Sequence, residues 1–528
     1  MRVYFLTLLA LLACCHFGNG LRILGIFPLN GRSHFVMASR LMEELAERGH
    51  QVDVVSHFPR KTPMPNYKDL SIAGSLPQVV NNMDAKNVSQ FNKMNFENIV
   101  QVAGISLCNL LSHKTLQDLI NNPPKDPPYD VIVVEVFLSP CYLAFGEHLK
   151  VPVVAMMTSS FFDWLEDVTG NPHNPSFMPG LFSPYGQRMT FRERLMNTML
   201  TTYVTMKINS LMQPMSETVK EHFGTDSSIN EIYKTMSTVL VNSHHSLNGI
   251  RPHTTSVFEV GGLHINDKTT ESLSPEVKKW LDESTHGCIY FTFGSMVRIE
   301  SFPKETLDVF YTVFERIAPV RVLMKVAKKE DLPPGLPKNV MIQSWFSQVA
   351  VFKHKNVKAF ISHGGLMSLQ EATYYGIPII GIPMFGDQHN NMRNADSLHI
   401  AVNLVSMQNV TVETLSYAID KVLHDETYRT SMKKTSELFK DRPIKPIDLA
   451  VYVVEYTARH GNVLQSPVIE LNWWQRNLLD VYGFLLACVV SVLAVLVLVL
   501  RKLTKLVFGC NSCTRKKKTK ASESKKQK

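Results

Sequence analysis

Short apolar runs alternate with stretches of helical period along the first third of the chain. Residues 21–29 predict a buried strand, residues 33–48 an amphipathic helix, and residues 51–56 a second strand. Residues 130–136 and 151–157 predict two further parallel strands, separated by a short helical segment. Strands that alternate with helices in this way indicate a doubly wound α/β sheet, which binds ligands at the carboxyl ends of its strands.

The same pattern restarts near Gly287 and predicts a second sheet of the same kind. Its later strands are predicted at residues 320–325, 340–343, 359–362 and 377–382. Gly, Pro, Asn and Thr accumulate between the halves, so we predict an N-terminal domain (21–250), a linker (251–275) and a C-terminal domain with a return helix (276–470). An amphipathic helix is predicted at residues 191–206; it can pack on the core, cover a ligand pocket or rest on a membrane.

The two ends of the chain predict membrane insertion. Residues 1–20 combine a basic start, an apolar run and a small-residue end, as in a secretory signal peptide. Residues 481–500 are uncharged and long enough to cross a bilayer core of about 30 Å as one helix. The basic tail, residues 501–528, faces the cytosol by the positive-inside rule. We therefore expect a single-pass type I membrane protein with its body in the lumen.

The net charge of +9 does not indicate a nucleic-acid-binding surface. The tail holds eleven Lys or Arg and one Glu, so it carries +10 and leaves the rest of the chain at −1. Lys525 and Lys526 stand four and three residues from the C-terminus and resemble the dilysine retrieval signal of endoplasmic reticulum proteins. The predicted location is therefore the endoplasmic reticulum membrane, and a merely solvated Lys-rich tail is the alternative.

Asparagine and cysteine residues give further information on whether the body lies in the lumen. Asn87 and Asn409 each begin a sequon and are candidate glycosylation sites of a lumenal body. Between the signal and the membrane segment only Cys108, Cys141 and Cys288 occur. Three scattered cysteines are too few for a disulfide framework, so none is expected.

The strongest chemical signal lies in residues 359–404. A short apolar strand is followed by His363, Gly364 and Gly365 and then by a run of helical period. Glycines let the backbone approach a ligand closely, and the start of a helix presents unpaired N–H groups. We therefore predict an anion site at this turn; an ordinary α/β unit with a buried histidine is the alternative.

A second loop of the same character occurs earlier. The strand-like alternation of residues 289–296 ends at Gly294 and Ser295. Ser295 offers a hydroxyl and a backbone N–H to the same anion, and Thr292 adds another hydroxyl.

Residues 359–404 contain, in order, SHGG, E-A, G-I-P, P-x-F-x-D-Q and a following Asn. In this order they resemble the UDP-glycosyltransferases, a family with the GT-B fold, in which two Rossmann-like doubly wound domains face a cleft. The resemblance implies that His363, Gly364 and Gly365 contact the diphosphate of a UDP-sugar, and that Glu371 accepts hydrogen bonds from the ribose.

The resemblance also assigns residues to the sugar and to the nucleobase. Asp387 and Gln388 would read the hydroxyls of the donor sugar, since a carboxylate beside an amide offers both acceptors and donors. Trp345 and Gln348 match the family's W-x-x-Q, in which the indole stacks on uracil and the amide helps to fix the ribose. A buried core Trp is the alternative for Trp345.

His34 is the candidate general base. It follows the first predicted strand and opens a helix, a position that points into the cleft between the two halves. A histidine that is partly neutral near pH 7 can take the proton of an acceptor hydroxyl. In the family an Asp before a Pro-Cys pair supports this base; here the nearest match is Glu135, with one extra residue before Pro140 and Cys141. A strand-end carboxylate paired with something else is the alternative.

We therefore expect an inverting transfer of a hexose from a UDP-sugar to a hydroxyl of a small lipophilic acceptor, as in detoxifying members of the family. Glucuronosyl members carry a cation in an Ile-Arg-Asn-Ser context, where this chain has Val241, so UDP-glucose is the expected donor and UDP-glucuronate the alternative. No D-x-D triad occurs, and neither a metal nor a cofactor is expected. A UDP-sugar-binding scaffold protein without transfer is a further alternative, and a homo-oligomer stays open.

Overall fold

The computed structural model describes residues 20–77, 79–92, 95–267 and 272–523. The predicted signal peptide, apart from its last residue, and the retrieval lysines Lys525 and Lys526 lie outside the described residues. The chain divides into two compact units between Ser466 and Pro467.

The first unit contains two parallel β-sheets. The strands of the first sheet are β1 (Arg22–Phe27), β2 (Gln51–Ser56), β3 (Tyr67–Ser71), β4 (Val131–Glu135), β5 (Val153–Met157), β6 (Met236–Val241) and β7 (Val257–Glu259). They lie in the order β3-β2-β1-β4-β5-β6-β7. The strands of the second sheet are β8 (Cys288–Thr292), β9 (Arg321–Lys325), β10 (Val340–Gln343), β11 (Val357–Ser362), β12 (Ile379–Gly381) and β13 (Ala401–Asn403). They lie in the order β10-β9-β8-β11-β12-β13.

Helices connect the strands and continue to the end of the described chain. In chain order they are α1 (Arg32–Glu47), α2 (Ala85–Asn92), α3 (Phe96–Val100), α4 (Ser106–Cys108), α5 (Lys114–Asn121), α6 (Ala144–Leu149), α7 (Asp163–Thr169), α8 (Phe191–Met212), α9 (Met215–Phe223), α10 (Ile229–Tyr233), α11 (His245–Asn248), α12 (Pro275–Asp282), α13 (Lys304–Arg316), α14 (Gln348–Phe352), α15 (Leu366–Tyr375), α16 (Gln388–Ser397), α17 (Val412–His424), α18 (Glu426–Lys440), α19 (Pro446–His460), α20 (Trp473–Arg476) and α21 (Leu479–Glu523).

The central strands are covered by helices on both faces, as parallel strands require. Ile23 of β1 pairs with Val52 of β2 on one side and with Val131 of β4 on the other. Leu41 and Leu45 of α1 are fully buried against this part of the sheet. The second sheet is built in the same way, so the prediction of two Rossmann-like doubly wound halves is confirmed.

The two halves interlock more than the pattern of the sequence indicates. Strand β7 lies inside the predicted linker, 251–275, and pairs with β6, so the first sheet extends beyond residue 250. This strand has three residues and is flanked by turn-forming residues, which hides it in the composition. Helix α19 returns to the first sheet, where Val451 and Val454 are fully buried in the same core as α1.

The structure contains one disulfide bond, which the cysteine pattern of the sequence does not indicate. Cys108 of α4 and Cys141, in the 3-10 turn that follows β4, form a disulfide bond. Cys141 lies six positions after Glu135, so the bond fastens the segment that leaves the end of β4. The sequence could not reveal the bond because only the packing of α4 against this turn brings the two sulfur atoms together.

Helix α8 extends from Phe191 to Met212, six residues beyond the predicted end. It buries Val204 and Ile208 on the side that faces the core. Its opposite side exposes large apolar residues: Phe191, Leu195, Met196, Met199, Tyr203 and Met206. Core packing therefore accounts for only one side of this helix.

The second unit contains α20 and α21. Within the described residues, one helical stretch, Leu479–Phe508, is long and apolar enough to cross a bilayer, and an 18-residue window inside it has a mean hydropathy of 3.1. It includes the predicted membrane segment, residues 481–500, and the exposed aromatic residues Trp473 and Trp474 precede it.

Loss of the disulfide should weaken the first unit. The bond closes a chain separation of 33 residues, and constraining the unfolded chain over such a loop contributes about 3–4 kcal/mol. Cys108→Ser is therefore expected to lower the free energy of unfolding by about this amount. Urea unfolding of the full chain in detergent, followed by tryptophan fluorescence, measures it.

The matched control is Cys488→Ser, which removes an exposed free cysteine from α21. It should leave the urea midpoint of the first unit unchanged. Equal midpoints for Cys108→Ser and the unchanged protein would contradict the prediction.

Candidate active site

The turn between β11 and α15 consists of His363, Gly364 and Gly365. Gly364 has a φ of +83°, and a Cβ atom there would collide with the side chain of Met392. Its backbone N–H donates to the hydroxyl of Ser362 at 3.1 Å. Gly365 caps α15 without a side-chain hydrogen bond, so the first N–H groups of this helix keep their donor capacity. The local geometry is that of an anion site at a helix N-terminus.

A second loop lies directly against this turn because β8 and β11 are neighbours in the sheet. A Cβ atom on Gly294 would lie 2.7 Å from Cε1 of His363, and one on Gly365 would lie 2.9 Å from the same atom. The imidazole therefore fits between two glycines. Burial, together with the charge of Lys325, lowers the pKa of His363 to about 4, so the ring is neutral at pH 7.

Two polar atoms of these loops have no hydrogen-bond partner among the described residues. They are the hydroxyl of Ser295 and Nδ1 of His363, and both are buried. Buried polar atoms without partners are costly in a folded protein, so a ligand that bonds to them would be stabilised. The hydroxyl of Thr292 accepts from the N–H of Gly294 at 3.2 Å and helps to hold the loop in shape.

Lys325 completes this region, and our sequence analysis did not identify it. Its Nζ atom donates to the carbonyl oxygen of Gly294 at 2.7 Å and to Oδ1 of Asn81 at 2.6 Å. It also lies 5.4 Å from the centre of the Trp345 ring. Burial lowers the pKa of Lys325 to about 8, although the charge of Glu300 opposes this. Its position at the end of the predicted strand, residues 320–325, is the sequence signal from which Lys325 could have been identified.

The nucleoside residues also come together. The indole of Trp345 is 56% exposed, so this residue is not a core tryptophan and can serve as a stacking surface. Gln348 donates through Nε2 to Oε2 of Glu371 at 2.6 Å and to the hydroxyl of Ser368 at 3.1 Å. Nε2 of His264 lies 3.3 Å from the other carboxylate oxygen of Glu371. The Glu371 carboxylate is thus held by Gln348 and lies beside His264.

Asp387 ends the loop before α16, and Gln388 is the first residue of that helix. Oε1 of Gln388 accepts from the backbone N–H groups of Met384 and Phe385 at 2.9 and 3.1 Å, so the amide oxygen fixes the loop. This leaves the amide nitrogen of Gln388 as the group that can meet a sugar hydroxyl.

Asn391 connects the loop before α16 to the glycine turn. Its amide donates to Oδ2 of Asp387 at 2.8 Å and to the carbonyl oxygen of Gly364 at 3.1 Å. Burial raises the pKa of Asp387, while the hydrogen bond from Asn391 and the charge of His34 oppose this rise. His34 belongs to the N-terminal half, so the two halves face each other at this point.

On the N-terminal side of the cleft, His34, Glu135 and Thr158 form a compact cluster. Nδ1 of His34 lies 2.8 Å from Oε1 of Glu135 and 2.7 Å from the hydroxyl of Thr158. The Thr158 hydroxyl also donates to Oε1 of Glu135 at 3.1 Å. With Nδ1 turned toward the carboxylate, Nε2 is the ring atom left to accept a proton. Thr158 was missed, although it directly follows a predicted strand, residues 151–157.

An aromatic group borders the His34 cluster. The ring of Phe137 lies 5.4 Å from that of His34 in an edge-to-face arrangement, and 5.4 Å from that of Phe162. Phe162 stacks on Trp164 at 4.6 Å. The surface beside the imidazole is therefore apolar.

The remaining predicted site residues lie elsewhere. Asn87, on α2, and Asn409, in a 3-10 turn before α17, are both exposed. Among the described residues, no group of three His, Cys, Asp or Glu side chains is arranged to hold a metal ion. The structure thus gathers the predicted donor residues in one region and the predicted base opposite them, and their individual roles stay predictions.

Comparisons with known proteins agree with this arrangement. A family model described as UDP-glucoronosyl and UDP-glucosyl transferase matches residues 23–520. The chain is similar to UDP-glycosyltransferase UGT5 of Dactylopius coccus, with 34% identity over 523 residues, 96% of this chain and 97% of that protein. It is similar to UDP-glucuronosyltransferase 2A3 of Cavia porcellus, with 30% identity over 512 residues, 92% of this chain and 94% of that protein.

A solved structure has the same fold. The crystal structure of the glycotransferase of kitacinnamycin matches with a TM-score of 0.54 and 15% identity, covering 83% of this chain and 98% of that chain. This likeness confirms the predicted GT-B arrangement of the two sheets.

The glycine turn can be tested by adding a single methyl group. Gly364→Ala should both strain the left-handed backbone and collide with Met392, at a cost of roughly 1–3 kcal/mol. The turn would shift, and the affinity for free UDP should fall at least about tenfold, which corresponds to about 1.4 kcal/mol. Isothermal titration calorimetry with UDP measures the change.

Gly376→Ala is the matched control. Gly376 also has a positive φ, of +73°, but open space surrounds the position of a Cβ atom. This variant should lose stability from backbone strain yet bind UDP normally. If both variants bound UDP equally well, the turn between β11 and α15 would not be the anion site.

Proposed function

The chain belongs to the family of UDP-glucuronosyl and UDP-glucosyl transferases and is a glycosyltransferase, and from this premise we propose that it transfers glucose from UDP-glucose to a small lipophilic alcohol or phenol with inversion. One observation carries the proposal. Nδ1 of His34 lies 2.8 Å from Oε1 of Glu135, which orients the imidazole so that Nε2 is the atom that can accept a proton.

In the proposed reaction, His34 acts as the general base. Nε2 accepts the proton of the acceptor hydroxyl as its oxygen attacks the anomeric carbon of the sugar. Glu135 accepts from Nδ1 and stabilises the imidazolium that forms, in the manner of a carboxylate that supports a catalytic histidine. Thr158 holds the carboxylate in place through its hydroxyl. Attack from this side gives inversion because the leaving group departs on the opposite face.

The leaving group is UDP, which departs with the electron pair of the broken bond between the anomeric carbon and the phosphate oxygen. Negative charge then grows on the diphosphate. The N–H groups at the start of α15 and the hydroxyl of Ser295 are placed to stabilise that charge. Asp387 and the amide nitrogen of Gln388 would orient the sugar, while Trp345, Gln348 and Glu371 would hold the nucleoside.

The choice of glucose rests on charge. Val241, at the position where glucuronosyl members are expected to carry a cation, is a fully buried apolar residue of β6. A glucuronate carboxylate in a closed cleft needs a compensating positive group, and without one its desolvation is costly. The neutral hexose is therefore the better match for this chain.

The acceptor side supports an apolar substrate. Phe137, which is half-buried, presents an aromatic ring beside His34 and is packed from behind by the buried Phe162, and planar phenols or steroids would bury their rings against Phe137. A hydroxyl at the edge of such a molecule could then reach Nε2 of His34.

We also propose that the protein works in the lumen of the endoplasmic reticulum as a type I membrane protein. The apolar stretch Leu479–Phe508 followed by the basic tail supports this orientation. The Cys108–Cys141 disulfide supports an oxidising compartment for the body. Glycans on Asn87 and Asn409 and retrieval through Lys525 and Lys526 belong to the same proposal.

Replacement of the base gives the first test. His34→Ala should lower kcat for transfer about 10²- to 10⁴-fold, the usual contribution of a positioned proton acceptor. The affinity for UDP should change less than twofold because the donor residues lie in the other half. Transfer of radiolabelled glucose to a panel of phenols and steroids, in detergent, measures the rate.

The control is His424→Ala, at an exposed histidine of α17, which should transfer at the normal rate. Transfer by His34→Ala at the normal rate would remove His34 as the base. A protein that binds UDP but transfers no sugar to any acceptor would instead be the non-catalytic scaffold.

The donor preference gives the second test. When UDP-glucose and UDP-glucuronate are assayed separately, kcat/KM should be at least about tenfold higher for UDP-glucose. A tenfold ratio corresponds to about 1.4 kcal/mol, which we expect as the least cost of one uncompensated carboxylate charge. Product analysis by mass spectrometry identifies the sugar. Transfer from UDP-glucuronate alone would overturn the donor choice and leave the transferase assignment intact.

A further inference from the structure

A segment of the N-terminal half crosses the cleft and is built into the C-terminal half. We call residues 79–88 the strap. It begins after β3 of the first sheet, and it includes the start of α2. Val88 of α2 is 6% exposed and belongs to the hydrophobic core of the second sheet, with Met83 and Ala85 packed against the same core.

The first end of the strap holds the loop that leads to His34. The N–H of Val79 donates to the carbonyl oxygen of Asn30 at 3.0 Å, and Val79 forms a parallel β-bridge with Gly31. Gly31 is the residue before α1, three positions ahead of His34. The start of the helix that carries the proposed base is thus paired to the strap.

The other end holds the loop after β8. The N–H of Asn81 donates to the carbonyl oxygen of Ser295 at 2.8 Å, and the N–H of Met83 donates to that of Met296 at 3.1 Å. The N–H of Arg298 donates in return to the carbonyl oxygen of Met83 at 2.9 Å. Ser295 belongs to the loop that lies against His363, so the strap is paired directly to the proposed diphosphate site.

The side chain of Asn81 adds a contact that the backbone does not provide. Its Oδ1 atom accepts from Nζ of Lys325 at 2.6 Å. Lys325 is buried, and its Nζ atom also contacts the carbonyl oxygen of Gly294 and the face of Trp345. Asn81 has a φ of +49°, a conformation that asparagine tolerates better than most residues. Asn81 therefore has a left-handed backbone conformation, pairs through its backbone with Ser295 and accepts a hydrogen bond from the buried cation of Lys325.

The length of the strap limits how far the two loops can separate. From Val79 to Met83 the chain advances four residues, and an extended chain reaches at most roughly 14 Å over that distance. If the loop after β8 moves when a diphosphate binds, it must either break its hydrogen bonds to the strap or draw the Asn30–Gly31 loop with it.

We propose that the strap is a positioning element of the transfer site, and that Asn81 couples occupancy of the diphosphate loop to the placement of His34. The proposal rests on the proposed function, because it presumes a UDP-sugar in the C-terminal half and a base in the N-terminal half. Asn81 contacts Ser295 and Lys325, and Val79 connects the strap to the backbone at Asn30 and Gly31.

Hydrogen exchange on the full chain in detergent, with and without UDP, tests the coupling. In the unchanged protein UDP should slow exchange in residues 293–298 and 362–368 and also in residues 30–36 across the cleft. Asn81→Gly keeps the left-handed backbone but removes the acceptor. It should retain the effect of UDP on the C-terminal loops and lose the effect on residues 30–36.

Kinetics give a second readout. Asn81→Gly should lower kcat for transfer about 10- to 100-fold, as expected when a reacting group is misplaced. Asn81→Asp keeps an oxygen acceptor for Lys325 and should restore kcat to within about threefold, with UDP again slowing exchange at residues 30–36. Lys86→Ala, at an exposed residue of α2 that lies within the strap, is the matched control and should behave like the unchanged protein.

Two results would overturn the strap proposal while the proposed function stands: slowed exchange at residues 30–36 in Asn81→Gly, or no effect of UDP on those residues in the unchanged protein. A failure of UDP to slow exchange at residues 362–368 would instead remove the donor site, and the strap proposal with it. Thermal unfolding of each variant verifies that a loss is not a folding defect.

Discussion

The carboxyl ends of neighbouring parallel strands meet at one edge of a sheet, and the chemistry of this protein depends on that constraint. Strands β1 and β4 are paired, so His34, after β1, meets Glu135, at the end of β4, across 101 positions of sequence. In the second sheet β8 and β11 are paired, so the loop that holds Ser295 lies against the turn that begins with His363. Two sheets whose carboxyl ends face one another place the proposed base opposite the proposed diphosphate site.

Close packing gives these loops their chemical character. Gly294 and Gly365 leave room for one imidazole between two backbone turns, so that ring is neutral and the surrounding N–H groups provide the positive potential. In the part of the chain that the structure describes, the buried hydroxyl of Ser295 has no hydrogen-bond partner, and burial lowers the pKa of Lys325 to about 8. A ligand that bonds to these buried polar groups would stabilise the site, as is expected of a binding site.

The two halves are not independent bodies joined by a flexible linker. Val88 of the N-terminal half is buried in the core of the second sheet, and Val451, from the end of the C-terminal half, is buried in the core of the first. Each half therefore depends on a segment of the other for part of its apolar burial. A cleft that is bridged in this way can change its width only through movements that both halves share.

The order of strands and helices, the glycine turns and the position of His34 followed from the sequence because period and turn chemistry are local properties. The contact of His34 with Glu135 was proposed from a resemblance and required the pairing of β1 and β4 to be established. The Cys108–Cys141 bond and the contacts of Asn81 across the cleft carry no local pattern, and the strand-end position of Lys325 does not reveal its contact with Trp345. Only tertiary packing decided them, since it alone brings residues that are distant in the chain within reach of one another and removes them from water.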